Sequence, residues 1–523
     1  MTPSQTVGAL GRPGQGSRRH SAELLLQKPW ARLLIPSLSD LFFLAVLVWL
    51  FMSSGGAGWQ GLLADADVGW HIRTGEYILD HHSVPRHDLY SYSKPDAPWY
   101  AWEWGVDLID GALHRSLGLK GVVLLAGVLI ALFATTLLRR MVWRNVHLFA
   151  ALVVSLLAVG GASIHFLARP HIFTLVLLSG CVWLIESDRR TPRNRIWWLV
   201  PITMVWTNLH GGFLALIALL GLTAVGIAIE SFLGMERLHG AYRYAALTGA
   251  CALASLVNPY GIQLHKHVWE YLRSDWIRNI IQEFQAPNFR NENLLQYEAL
   301  LLVGLVVAGF LFRRKQVAEG LWILFFAHMS LSSVRHVPIF VTIAAPVIAV
   351  EVSTWWTTLS ASAGRNSIAG ILNQMAADSM HGFRRTSLWV PAVVLTLVLL
   401  GPPFPWPKDF PEIGFPVKMV HAHQKEILES RVLTSDQWAD YLIYTDPRTK
   451  VFVDGRSDFY GAEIGDQYLH MYSGNWDWNT LMNKYHFNLV LLPVESPLVQ
   501  LLKITPGWRV EQDNGKEILL VHR

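Results

Sequence analysis

Two stretches of this chain, Gly121 to Leu138 and Gly212 to Ile229, contain no charged side chain. In hydrocarbon no water is at hand for the peptide groups, so a run of this kind has to be helical, and about 20 apolar residues of helix cross a bilayer. Similar runs recur along the chain. By the same ~20-residue yardstick about eleven membrane segments are expected, several of them short enough to be tilted or re-entrant. Composition agrees: 52% of the residues are hydrophobic, 16% are charged and the mean hydropathy is +0.30, which describes a polytopic membrane protein with room for one water-exposed domain.

Lys and Arg in the short loops set the expected orientation. Arg139, Arg140 and Arg144 fall in one loop, Arg189, Arg190, Arg193 and Arg195 in a second, and Arg313, Arg314 and Lys315 in a third, which assigns these loops to the cytoplasm. The N-terminal tail, with Arg18, Arg19, Lys28 and Arg32, belongs on the same side. An odd number of crossings then leaves the C-terminus outside, together with loops 53–120 and 258–298 and everything after about Pro402. The net charge of +4 follows from this topology and is no argument for a nucleic-acid partner. The first apolar run follows a long polar tail and lacks a small-residue cleavage site, so it is expected to be an uncleaved anchor. Cys181 and Cys251 lie inside apolar segments, which supports neither a disulfide framework nor a cysteine metal site.

Three regions are expected. Residues 1–30, rich in Gly, Ser, Pro and Arg, read as a disordered cytoplasmic tail. Residues 31–402 form the membrane domain, with a second flexible stretch from Ser360 to Arg385 in a cytoplasmic loop. Pro402-Pro403-Phe404-Pro405-Trp406-Pro407 is a stiff linker, and residues 403–523 are an extracytoplasmic α/β domain. In that domain Arg431 to Thr434, Lys450 to Asp454 and Asn488 to Leu492 read as strands, Ser435 to Tyr444 as an N-capped helix, Trp478 to Tyr485 as a helix, and the end of the chain as a hairpin. No internal repeat at solenoid or propeller spacing is present.

The chemistry concentrates in Asp65-Ala66-Asp67-Val68-Gly69-Trp70-His71, just after the first apolar run. Two carboxylates at the lip of a bilayer are costly to desolvate, so they face a watery cavity and bind or activate something polar. One could take a proton from an acceptor hydroxyl while the other orients it or holds a cation; equally, both could cap the amphipathic helix that follows, which contains Trp70, His71, Ile72 and Tyr77. Glu103, between Trp102 and Trp104, is a second acidic candidate over the cavity, the tryptophans serving either to stack on a sugar or to anchor at the interface. His210 in Asn208-Leu209-His210-Gly211-Gly212 sits in what is either a tight interhelical turn, the favoured alternative, or part of the cavity wall. Asp454, Arg456 and Asp458 read as a turn held by an ion pair.

The segment Asp65-x-Asp67-x-x-Trp70-His71-x-x-x-Gly75, continuing through Val84-Pro85-x-x-Asp88-x-Tyr90-Ser91-Tyr92 to Pro98-Trp99 and Trp102-Glu103-Trp104, resembles the first outer loop of bacterial GT-C-type membrane glycosyltransferases, in particular the branch with a soluble C-terminal domain. Asn258-Pro259-Tyr260-Gly261, Ser333-Val334-Arg335-His336-x-Pro338 and Val453-Asp454-Gly455-Arg456-x-Asp458 add to the resemblance, which covers most of the chain. It implies a GT-C-like α-helical membrane protein in the bacterial inner membrane. It also implies inverting transfer of a sugar from a polyprenyl-phosphate or -diphosphate donor to a glycan, lipid or protein acceptor outside.

The general base of such enzymes is a carboxylate of the first outer loop, which here falls on Asp67 or Asp65, with Asp67 preferred. A divalent cation is needed by some relatives and not by others, and no dense ligand set commits this chain to one. The departing lipid phosphate calls for cations, and the candidates are Arg169 and His171 in His165-x-x-x-Arg169-Pro170-His171, Lys266, and Arg335 with His336. Two other classes compete: a non-catalytic membrane scaffold that binds envelope components through its C-terminal domain, and a transporter, disfavoured because the charged and histidine residues cluster on one side.

Overall fold

The charge-free runs become the long helices of a membrane bundle. The computed structural model describes residues 33–56, 58–290, 294–385, 387–400 and 405–523, so the expected N-terminal tail and the expected boundary at 402–403 lie outside the described residues. In chain order the bundle and its long loops contain α1 (Leu38–Gly56), α2 (Asp67–His81), α3 (Trp104–Leu117), α4 (Leu119–Trp143), α5 (Leu148–Ala162), α6 (His171–Arg190), α7 (Leu199–Thr207) and α8 (Phe213–Phe232). Then follow α9 (Leu238–Ala254), α10 (Ile262–Arg273), α11 (Leu295–Arg313), α12 (Val317–Ser332), α13 (Val337–Leu359), α14 (Ile368–Phe383) and α15 (Trp389–Leu400).

Among the described residues, six helical segments are long and apolar enough to cross a membrane, built on α4, α5, α6, α8, α11 and α13, and three shorter apolar ones lie in α1, α12 and α15. This is a multi-pass membrane protein, and length and apolarity alone do not reach the expected eleven spans. α4 and α13 are the most enclosed, with 72% and 78% of their apolar windows buried, while α11 keeps most of its window on the outside of the bundle, where lipid is the solvent.

Two helices of the loop 53–120, α2 and α3, are pressed together at Gly75 and Gly111. A methyl group at position 75 would stand 1.7 Å from the Asp107 carbonyl oxygen, so only glycine permits this crossing. The contact brings His71 on α2 against Asp107 on α3.

Beyond residue 405 the chain forms a four-stranded sheet of β1 (Val432–Thr434), β2 (Leu489–Pro493), β3 (Trp508–Asp513) and β4 (Glu517–His522), in the order β1-β2-β4-β3. β1 and β2 are parallel, with Val432 opposite Leu489, and β4 runs antiparallel to β2 and β3. Its helices include α16 (Asp436–Thr445), α17 (Ser457–Tyr472) and α18 (Trp478–Tyr485). The expected cap is present: Ser435 accepts the Trp438 N–H at the start of α16. α18 has the expected bounds, and the terminal hairpin is β3–β4.

Two expectations need correction. Lys450 to Asp454 is not a strand of the sheet. Val451 forms isolated parallel bridges to Val432 and to Ser91, because its other neighbour is the loop 53–120, whose Tyr92 N–H donates to the Val451 carbonyl at 3.0 Å. The stretch from Ser360 to Arg385, expected to be flexible, holds α14. This helix is fixed by tertiary contacts: Ala376 and Phe383 are buried and Trp356 Nε1 donates to Asn373 Oδ1 at 2.8 Å.

The C-terminal domain sits on both long loops, 53–120 and 258–298. Gln437 accepts the Ala66 N–H at 2.9 Å, Arg73 donates to the Tyr444 carbonyl through Nε at 2.7 Å, and Trp276 donates to Asp466 at 2.6 Å.

Candidate functional site

Where loops 53–120 and 258–298, three interhelical connections and the C-terminal domain meet, they enclose a cavity of about 490 Å³. Its lining is mixed: Leu175, Leu214, Ala218, Phe325 and Ile339 of α6, α8, α12 and α13 give apolar surface beside polar and aromatic side chains. A chamber of this mixed character suits an amphiphile.

Of the residues singled out above, Asp67, Trp70, Glu103, Arg169, His171, His210, Arg335 and His336 line this cavity. Asp65 and His71 lie just behind it. Lys266 does not belong to it: its side chain is 70% exposed on α10 and faces Glu270 at 3.9 Å.

The acidic pair divides its roles. Asp65 caps α2, its Oδ1 accepting the Asp67 backbone N–H at 3.0 Å, so capping holds for this residue. Its Oδ2 takes Arg169 Nη1 at 2.6 Å, while Asp67 Oδ2 takes Nη2 at 2.5 Å. Glu283, from the loop 258–298, approaches the same guanidinium at 3.2 Å. Arg169 therefore occupies the centre of three carboxylates. Burial pushes the Glu283 carboxyl up, but Arg169 and Arg335 outweigh it and bring it down to about 2.

Burial raises the Asp67 carboxyl well above the usual range, against the pull of Arg169. Its free oxygen, Oδ1, lies beside the Asp440 carboxyl of α16, which burial and the nearby Asp67 also raise. Gly455 closes over both acids. A Cβ there would stand 2.0 Å from Asp67 Oδ1 and 2.8 Å from Asp440 Oδ2, while the Gly455 N–H donates to Asp440 Oδ1 at 3.1 Å.

Glu103 lies between two histidines. His71 Nε2 is 3.7 Å from one of its oxygens and His210 Nε2 is 3.5 Å from the other. Burial pushes the Glu103 carboxyl up to about 7, with Asp107 adding to the rise and His71, Arg169 and Arg335 opposing it. Burial also lowers His71 to about 4 and His210 well below its ordinary value. The Asn208–Gly212 segment is indeed a tight turn. It is tied to α3 by the Gly105 N–H on the Asn208 carbonyl and by Trp104 Nε1 on Asn208 Oδ1, and the same ties place His210 in the cavity wall. Trp102 lines the cavity, whereas Trp104 serves this turn.

Arg335, between α12 and α13, lies 4.4 Å above the Phe284 ring and donates to the Tyr271 hydroxyl at 3.3 Å. Among the described cavity residues it is the arginine with no carboxylate at ion-pair distance, since Arg169, Arg278 and Arg456 each have one. His336 donates through Nδ1 to the Met329 carbonyl at 3.2 Å, and His171 through Nε2 to the His165 carbonyl at 2.5 Å. Asp454 and Arg456 form the expected structural pair at 2.6 Å, joined by Asp88 at 2.8 Å, but residues 455–458 also roof the cavity.

Sequence reasoning missed Asp107, Glu283, Tyr271 and Asp440. Asp107 alone carried a local signal, standing four residues after Glu103 on one helical face. Among the described residues no three His, Cys, Asp or Glu side chains converge as a metal set.

No protein-family model matches this sequence, and none of the curated proteins matches it. Solved structures do. The chain is similar to the apo oligosaccharyltransferase of Archaeoglobus fulgidus, with a TM-score of 0.50 and 12% identity over 87% of this chain and 69% of that one. It is equally similar, at TM-score 0.50 and 12% identity over 91% and 74%, to AglB from the same organism in complex with an inhibitory peptide and a dolichol-phosphate. At this identity the likeness is one of fold, and that fold is the GT-C membrane architecture to which the motifs pointed.

Proposed function

We propose that this protein is a membrane glycosyltransferase that moves a sugar, with inversion, from a polyprenyl-phosphate-linked donor to an envelope acceptor on the outer face of a bacterial inner membrane. The cavity carries this reading: it combines apolar side chains of four bundle helices with Arg335, a guanidinium that has no carboxylate at ion-pair distance. The polyprenyl chain packs on the apolar side chains, and the lipid phosphate meets Arg335, with His336 and His171 beside it. The glycan, lipid or protein acceptor enters beneath the strap 455–458. The bound dolichol-phosphate of the structurally similar AglB supports a lipid-phosphate donor.

Arg169 was as strong a phosphate candidate by sequence. Three carboxylates already hold it, so its role is to organise the acidic loop. One free guanidinium matches the single charge of a sugar linked through a monophosphate. A carboxylate of the first outer loop takes the acceptor's proton.

The test is transfer of sugar by the purified protein from mono- and diphosphate polyprenyl donors to membrane extracts. Turnover with the monophosphate donor that Arg335→Ala weakens is the expected result. No turnover with any donor would leave the scaffold reading in its place.

A further inference from the structure

Asp67, Glu103, Glu283 and Asp458 are the carboxylates that line the cavity among the described residues. Three are engaged. Asp67 binds Arg169 and abuts Asp440, Glu283 faces Arg169, and Asp458 accepts from His267 Nε2 at 2.8 Å. Glu103 has no guanidinium or ammonium within ion-pair reach, and both flanking imidazole nitrogens stand beyond hydrogen-bond length.

We propose that Glu103, rather than Asp67, takes the proton from the acceptor, in the space left open between His71 and His210. This rests on the glycosyl-transfer reading. As the acceptor hydroxyl oxygen bonds to the anomeric carbon, its proton passes to Glu103. The bond between that carbon and the phosphate oxygen breaks, its electron pair leaves with the lipid phosphate, and Glu103 later returns the proton to water.

The two histidines are themselves held. His71 is fully buried, its Nδ1 lies 2.6 Å from Asp107 Oδ1, and its Nε2, without a hydrogen-bond partner, is the atom nearest Glu103. At His210, Nδ1 accepts the Gly212 N–H at 2.9 Å and lies 2.8 Å from Thr174 Oγ1. At His210 the occupied Nδ1 acceptor puts the hydrogen of the neutral ring on Nε2, the side that faces Glu103.

The charged and titratable groups facing Glu103 are His71 from α2, Asp107 from α3, and Arg169, His210 and Arg335 from the three interhelical connections. Their balance with burial leaves the carboxyl near 7, where a base serves best at neutral pH. Glu283, at about 2, is too weak a base.

The experiment measures turnover against pH for the full-length protein, Glu103→Gln, Glu103→Asp and Asp67→Asn, alongside an infrared titration of the carboxyl bands. The unmodified protein should gain rate as pH rises, half-maximally near 7. Glu103→Gln should lower kcat by about 10²- to 10⁴-fold at little change in donor KM and lose that rise. Glu103→Asp should keep the rise at reduced rate, and Asp67→Asn should also keep it. Turnover by Glu103→Gln within about threefold of the unmodified protein, or loss of the rise in Asp67→Asn alone, overturns the assignment while leaving glycosyl transfer intact. The infrared arm needs no turnover: a carboxyl band that titrates near pH 7 and vanishes in Glu103→Gln supports the assigned proton affinity, and its persistence overturns it.

Discussion

The two ends of the helix bundle differ in how fully their buried charges are paired. α6, α8 and α13 each begin near the cavity and carry an acid toward their other end, and there the charges are closed on one another. Arg140 and Arg144 share Glu186, Arg189 meets Glu230 and Glu319, Arg243 meets Asp188, and Arg314 meets Glu351, all within 2.9 Å. At the cavity end Arg169 is likewise closed by three carboxylates, but among the described residues Arg335 has no carboxylate and Glu103 no Arg or Lys at ion-pair distance. Burying a charge is costly unless it is paired. Closed pairs tie helices together, whereas an open charge in a desolvated chamber is completed by whatever enters it.

The sharpest way to break this contrast is at the closed end. Arg140 is fully buried and Glu186 is its carboxylate, so Glu186→Leu strands a buried guanidinium and should cost about 3–5 kcal/mol of stability, seen as a lower Tm in detergent. Its surviving folded fraction should transfer sugar normally. At the open end Arg335→Ala should do the reverse, leaving Tm in place while transfer falls by roughly 10- to 150-fold, the equivalent of about 1.5–3 kcal/mol for a charge-assisted phosphate contact. Gly455→Ala tests the roof. Its methyl group meets Asp67 and Asp440, and the strap must shift at about 1–3 kcal/mol, read as a loss of both stability and turnover. The smallest effect belongs to Lys266→Ala, on an exposed helical face, which should change stability by less than about 0.5 kcal/mol and leave transfer untouched.

What could be read from the sequence was local. Apolar runs announce membrane helices because the bilayer forbids alternatives, and Ser435 and the bounds of α18 were legible because caps and short amphipathic helices are encoded within a few residues. Lys450 to Asp454 misled because β-propensity does not name a partner, and here the partner is Ser91 in a distant loop. The cavity divides along the same line. Asp65 through Glu103 lie in the one continuous loop 53–120 and stood out together, whereas Glu283 sits in an ordinary Gln282-Glu283-Phe284 turn and Asp440 inside an amphipathic helix, each made notable only by folding. The pairing of Arg169 was equally invisible, which is why it and Arg335 looked equivalent as phosphate ligands.

The strap formed by residues 455–458 also imposes an order in time. The ribosome makes every helix of the bundle before it makes this segment, so a nascent chain already holds Asp67, Glu103 and Arg335 while the chamber above them is still open to water. Only when the later domain has folded and its Val451 has threaded between Ser91 and Val432 is the chamber closed. On the glycosyl-transfer reading, the chamber that would hold the donor is therefore completed only by the part of the chain made last among its lining residues.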